Sequence, residues 1–223
     1  SAGWMAFLNA LATGILVFLF WDIVAKASEP IDGALAAAQA GQPGNLAVLV
    51  GLFAVGLGVG LLGLVYFETR YIRKAVSPSG QLEAAPAQLS LMIAIGIGLH
   101  NFSEGLAIGQ ASRSGAISLA AILIIGFALH NMTEGFGIAA PLTLGAPPRW
   151  RFLVLVGIVG GGPTFLGTVL GYSVQSEPIF VLCLALAAGS ILYVIMELLH
   201  SGRRFKLREL TMWGLLIGFM LGY

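Results

Sequence analysis

The chain has 223 residues, 58% of them hydrophobic and only 9% charged, and its mean hydropathy is +0.94. Soluble domains carry about 25% charged residues, so this composition excludes a water-soluble globular protein. A formal net charge of +1, with the basic residues scattered, leaves no basic face for nucleic acid, and the lone Cys183 rules out an intrachain disulfide.

Crossing about 30 Å of hydrocarbon takes roughly 20 apolar residues in a helix. Taken in chain order, such stretches are predicted at about 4–25, 45–67, 88–110, 116–140, 151–172, 178–200 and 207–223. The expected fold is therefore all-α, a polytopic transmembrane bundle forming one domain over residues 1–223. The longest polar connectors are Lys26–Gly44 and Glu68–Ala87, and the second of these contains no histidine. Trp4, Trp21 and Trp150 fall near predicted span ends, where an amphipathic ring sits well.

Basic residues set the expected orientation. Connectors after the second, fourth and sixth spans hold Arg70, Arg73, Lys74, Arg149, Arg151, Arg203, Arg204, Lys206 and Arg208, whereas the opposite side holds only Lys26 and Arg113. The richer side is expected to face the cytoplasm.

Two stretches repeat. Residues 95–108 read IGIGLHNFSEGLAI and residues 125–138 read IGFALHNMTEGFGI, identical at eight of fourteen positions. A fainter pair matches Leu11-Ala12-Thr13-Gly14 leading to Asp22 with Leu186-Ala187-Ala188-Gly189 leading to Glu197. Members of each pair lie on spans that cross in opposite directions, the signature of inverted repeats, which in transporters place the substrate near the midplane. Under that pairing the third span matches the fourth, the first the sixth and the second the last. The fifth is left over, and an eighth helix is expected before Ser1.

Polar groups inside spans cost about 2.5–3.5 kcal/mol each on insertion scales, so an intramembrane acid points to function. Glu104 and Glu134 each follow a histidine by four residues, which puts His100 with Glu104, and His130 with Glu134, on one helical face. Asn101 and Asn131 sit beside the histidines. Two imidazoles and two carboxylates from neighbouring helices suit a divalent cation, with zinc bonds of about 2.0–2.2 Å. One isolated pair reads equally well as a core histidine beside a neutral acid; duplication of all three polar types argues against that. Gly105 and Gly135 read as close-packing positions, and Ser103 and Thr133 as hydroxyls bonded back to a carbonyl one turn earlier.

His-Asn-x-x-Glu-Gly on two consecutive membrane helices resembles the ZIP (Zrt-, Irt-like) family of divalent metal transporters. The similarity spans essentially the whole chain, from that family's second helix to its eighth, and implies an eight-helix protein with both termini outside. It also implies that His100, Glu104, His130 and Glu134 form the main metal site, with Asn101 and Asn131 beside it in a second one. Glu197 matches an acidic position in a motif ending Met-Glu-Leu-Leu. Two departures stand out. Ser103 and Thr133 replace the family's usual prolines. Gly162-Pro163 stands where many bacterial relatives have Glu-Pro, which favours a single-metal site.

Asp22 toward the outer face, and Glu197 with His200 toward the cytoplasm, read either as solvated helix ends or as relays along a metal pathway. The expected function is uptake of a divalent cation, Zn²⁺ foremost, with Cd²⁺, Fe²⁺, Mn²⁺ and Co²⁺ open to the same ligands. The resemblance implies an elevator-like motion within a homodimer in the cell (inner) membrane. An intramembrane zinc hydrolase, with a metal-activated water as nucleophile, is the rival reading.

Overall fold

The computed structural model describes residues 2–42, 44–72, 86–139, 141–142, 147–174, 176–203 and 206–222. Seven α-helices account for nearly all of them: α1 (Ala2–Gln39), α2 (Leu46–Phe67), α3 (Pro86–Arg113), α4 (Ile117–Ala139), α5 (Trp150–Ser173), α6 (Glu177–Gly202) and α7 (Arg208–Gly222). No strand occurs among the described residues. The all-α bundle follows from the composition, because only helices satisfy their own backbone groups in lipid. Arg73, Lys74 and Arg204, which contributed to the expected orientation, and the Thr133 side chain lie outside the described residues.

Six of the helices are long and apolar enough to cross a membrane. The seventh predicted span corresponds to α7, of which 15 residues are described. The first span departs from expectation. Instead of ending near residue 25, α1 runs 38 residues through Pro30. Ile31 and Ala34 pack against Leu49 and Val181 there, and the alanine-rich stretch that follows has high helix propensity. Tertiary contact thus overrides the break that Pro30 signals.

Four helices build the centre. Leu16, Leu19 and Ile23 of α1 meet Ala107 of α3, Leu123 and Phe127 of α4, and Leu184 and Ile191 of α6. Around them α2 packs on α6, α7 on α1 and α5 on α3. The neighbours are antiparallel where the order demands it: Asn9, early in α1, donates from Nδ2 to Leu198 O, late in α6, at 2.9 Å.

Glycines set these outer contacts. A methyl group on Gly14 would fall 2.7 Å from Phe219 N, and one on Gly189 would fall 2.9 Å from Leu61 N. Gly214 would meet Ala10 Cβ and Phe7 O, both at 2.8 Å; Gly56 would meet Ala185 Cβ at 2.9 Å and Leu182 O at 2.8 Å. The α1–α7 and α6–α2 pairs therefore match contact for contact, with Leu11 in the place of Leu186 and Gly218 in that of Gly60. With no hydrophobic driving force in lipid, close van der Waals approach of this kind holds helices together.

Candidate metal site

Side by side in the bundle, α3 and α4 bring their repeated motifs to one place. His100 and Glu104 are one helical turn apart on α3, with His100 Nε2 3.0 Å from Glu104 Oε1. On α4, His130 Nε2 lies 3.2 Å from Glu134 Oε1. Between the helices, His100 Nε2 lies 3.7 Å from the same Glu134 oxygen, and the two imidazoles meet edge to face with centroids 5.7 Å apart. Donor atoms of His100, His130 and Glu134 all fall within 4.8 Å of one another.

These separations suit a cation. Bonds of about 2.1 Å to tetrahedral zinc put ligand atoms roughly 3.4 Å apart, close to the 3.2 and 3.7 Å seen around Glu134. Glu104 approaches the same His100 nitrogen as Glu134 does but is not part of the three-residue cluster. Of the four expected ligands, three converge and the fourth borders the group.

Burial sharpens the case. His100, Asn101, Glu104 and His130 are all buried. Among the described residues, neither carboxylate oxygen of Glu104 and neither ring nitrogen of His100 has a hydrogen-bond partner; the 3.0 Å approach between them lacks hydrogen-bond alignment. Among the described residues, no lysine or arginine pairs with Glu104 or Glu134. Unpartnered buried polar atoms cost about 1–3 kcal/mol each, more when charged, and a bound cation relieves that cost.

The two asparagines differ. Asn101 Nδ2 donates to Gly160 O of α5 at 3.0 Å, tying α3 to α5, while its Oδ1 has no partner. The amide of Asn131, oriented so that its nitrogen faces acceptors, donates to Glu134 Oε2 at 3.2 Å and Phe127 O at 3.3 Å. Asn131 thus meets Glu134 on its own helix, and Asn101 ties α3 to α5.

A cavity of about 120 Å³ adjoins the cluster, bounded by His100 and Glu134 at one end and by Phe67, Ile72, Gly96 and Tyr193. That volume holds several waters. It runs toward the end of the bundle bearing the basic connectors. Tyr193 donates to Glu68 Oε2 at 3.3 Å, in a stretch where α2 continues as a π-helix, Glu68–Ile72. Such π-turns are frequent at functional sites.

The remaining expected residues lie apart. Asp22 is half-buried on α1, and Glu197 and His200 are exposed on α6. None of the three borders the cavity, although Glu197 stands one turn beyond Tyr193. Gly162 is partly buried on α5.

Several residues escaped the sequence reading. Ser103 Oγ does bond back to His100 O, at 2.6 Å, but it also meets Ser190 Oγ of α6 at 2.7 Å. Gln110 is buried and donates to Gly171 O and Val174 O, at 2.6 and 2.9 Å, closing the end of α5. A glutamine inside a span was the available signal. Tyr193 and Glu68 gave none, because an aromatic residue and an acid near span ends are commonplace.

The sequence model of a family described as ZIP zinc transporter matches residues 71–222. This chain belongs to the ZIP zinc transporter family. The matched stretch holds both His-Asn-x-x-Glu-Gly motifs and all of α3 to α7, so the cluster of His100, His130 and Glu134 lies wholly inside it. α1 and α2 lie outside it, a narrower match than the resemblance implied. As a ZIP member the protein is a multi-pass membrane transporter of divalent metal cations.

Proposed function

We propose that this ZIP protein takes up Zn²⁺ toward the cytoplasm, binding it between His100, His130 and Glu134, with Glu104 completing or exchanging into the ligand set. The observation that carries the reading is convergence of three donors on one point beside buried, unpartnered Glu104 and His100 atoms. Mixed nitrogen and oxygen ligands also admit Cd²⁺, Fe²⁺, Mn²⁺ and Co²⁺. Asn131 orients Glu134. With Gly162 in place of a carboxylate, one metal rather than two is the economical reading.

Alternating access fits the packing. The cavity beside His100 and Glu134 leads toward the basic end, which the excess of Lys and Arg assigns to the cytoplasm of an inner membrane. The metal leaves by that route, past Tyr193 and Glu68, with Glu197 and His200 further out as transient ligands and Asp22 serving on the opposite side. Matching glycine contacts in the α1–α7 and α6–α2 pairs support inverted repeats, the architecture that places cargo at the midplane. α3 with α5, clasped by glycines and Asn101, is the natural moving body together with α4, sliding in elevator fashion against the other helices within a homodimer.

The test is Zn²⁺ uptake into liposomes holding the full protein. Flux is expected, and loss of flux in His130→Ala and Glu134→Ala. Flux that survives both changes refutes the site. Absence of flux together with hydrolysis of a lipid amide would favour a zinc hydrolase.

A further inference from the structure

Where α6 gives way to α7, a second and larger cavity of about 490 Å³ opens between α1, α6 and α7. Its inner wall includes the buried Ala10 and Thr13 and the apolar side chains of Leu198, Leu199 and Leu215. Arg203, Lys206 and Arg208 also line it, and all three are exposed. Lys206 adopts φ 55°, a left-handed conformation uncommon for a residue with a Cβ, and the turn there brings the three cations to one opening. Among the described residues none of them pairs with a carboxylate. Glu209, in the first turn of α7, does not line the cavity.

We propose that this cavity binds one anionic phospholipid. Its phosphate sits among Arg203, Lys206 and Arg208 at the start of α7, where the free N–H groups of a helix also favour an anion. One acyl chain follows Leu198, Leu199 and Leu215 inward. Charge at the opening joined to an apolar wall matches an amphiphile rather than a free anion. Basic pockets between membrane helices on the cytoplasmic side suit such headgroups, with about 1 kcal/mol from each basic residue, roughly fivefold in affinity. The cavity is separate from the metal cluster and shares no residue with the cavity beside it.

Native mass spectrometry of the full protein in neutral detergent tests this, with dioleoylphosphatidylglycerol, dioleoylphosphatidylcholine and inorganic phosphate as probes. One phosphatidylglycerol is expected to be retained in preference to phosphatidylcholine. Arg203→Gln or Arg208→Gln weakens retention roughly fivefold, and the triple change R203Q/K206Q/R208Q more than tenfold. R149Q/R151Q, on another connector at the same end, leaves it unchanged. Met212→Trp, which fills the cavity without removing charge, also displaces the lipid and serves if the triple variant does not fold. Equal retention of both lipids, retention by the triple variant, or displacement of the lipid by millimolar phosphate would overturn the proposal.

Discussion

On α3, a methyl group added at Gly105 would fall 2.9 Å from the backbone nitrogen of Thr168; on α4, the equivalent Gly135 has nothing within 4 Å. The contrast runs along both motifs. On α3, His100, Asn101 and Glu104 are buried, and the Asn101 amide bonds to α5. On α4, His130 is buried, whereas Glu134 keeps 9% of its side chain exposed and Met132 is 69% exposed. Two copies of one motif thus serve different ends. The α3 copy is locked into the protein by α5, and its Glu104 is sealed. The α4 copy supplies the carboxylate that borders the cavity and that both imidazoles approach.

The largest test of this asymmetry is at the two acids. Glu134→Ala is expected to weaken Zn²⁺ binding by roughly a hundredfold or more. Glu104→Ala, which removes a group that completes or exchanges into the ligand set, should weaken it less, by about tenfold. Calorimetric titration of the purified protein distinguishes the two, and equal losses would erase the distinction between copies.

Next come the glycines. Gly105→Ala forces backbone apart and is expected to cost about 1–3 kcal/mol, whereas Gly135→Ala should stay within about 0.5 kcal/mol. Thermal unfolding of both variants measures the difference, and a Gly135→Ala loss as large as that of Gly105→Ala would contradict it. At the asparagines, Asn101→Ala removes the bond to Gly160 and should cost about 1 kcal/mol of stability. Asn131→Ala should instead show its main effect in Zn²⁺ affinity, because its amide supports Glu134.

The smallest effect is expected at the hydroxyl pair bridging α3 and α6. Ser103→Ala and Ser190→Ala in a double-mutant cycle should give a coupling of about 0.6 kcal/mol, the average for hydrogen bonds between membrane helices. A coupling indistinguishable from zero would mean that the 2.7 Å approach contributes nothing to the packing of α3 on α6.

Much of this organisation was legible in the amino acids. The helical fold and the meeting of His100, His130 and Glu134 followed from apolar run length and from the repeated spacing of His and Glu, because the period of a helix and the cost of polar groups in lipid are both strict. The helix break expected near Lys26 did not occur, since the contact of Ile31 and Ala34 with α2 and α6 is a tertiary fact that composition does not carry. The difference between Gly105 and Gly135 was likewise invisible. Identical letters say nothing about whether α5 lies against them. Ser190, Gln110 and Tyr193 became informative only once their partners on other helices were known.

The central claim is that one divalent cation bridges the two motifs through His100, His130 and Glu134. Zinc K-edge X-ray absorption on the Zn²⁺-loaded protein in lipid nanodiscs examines the ligand shell directly. Two imidazole nitrogens and carboxylate oxygen are expected at about 2.0–2.2 Å, with one imidazole lost in either His100→Ala or His130→Ala. A first shell without histidine, or one unchanged in both variants, would contradict it.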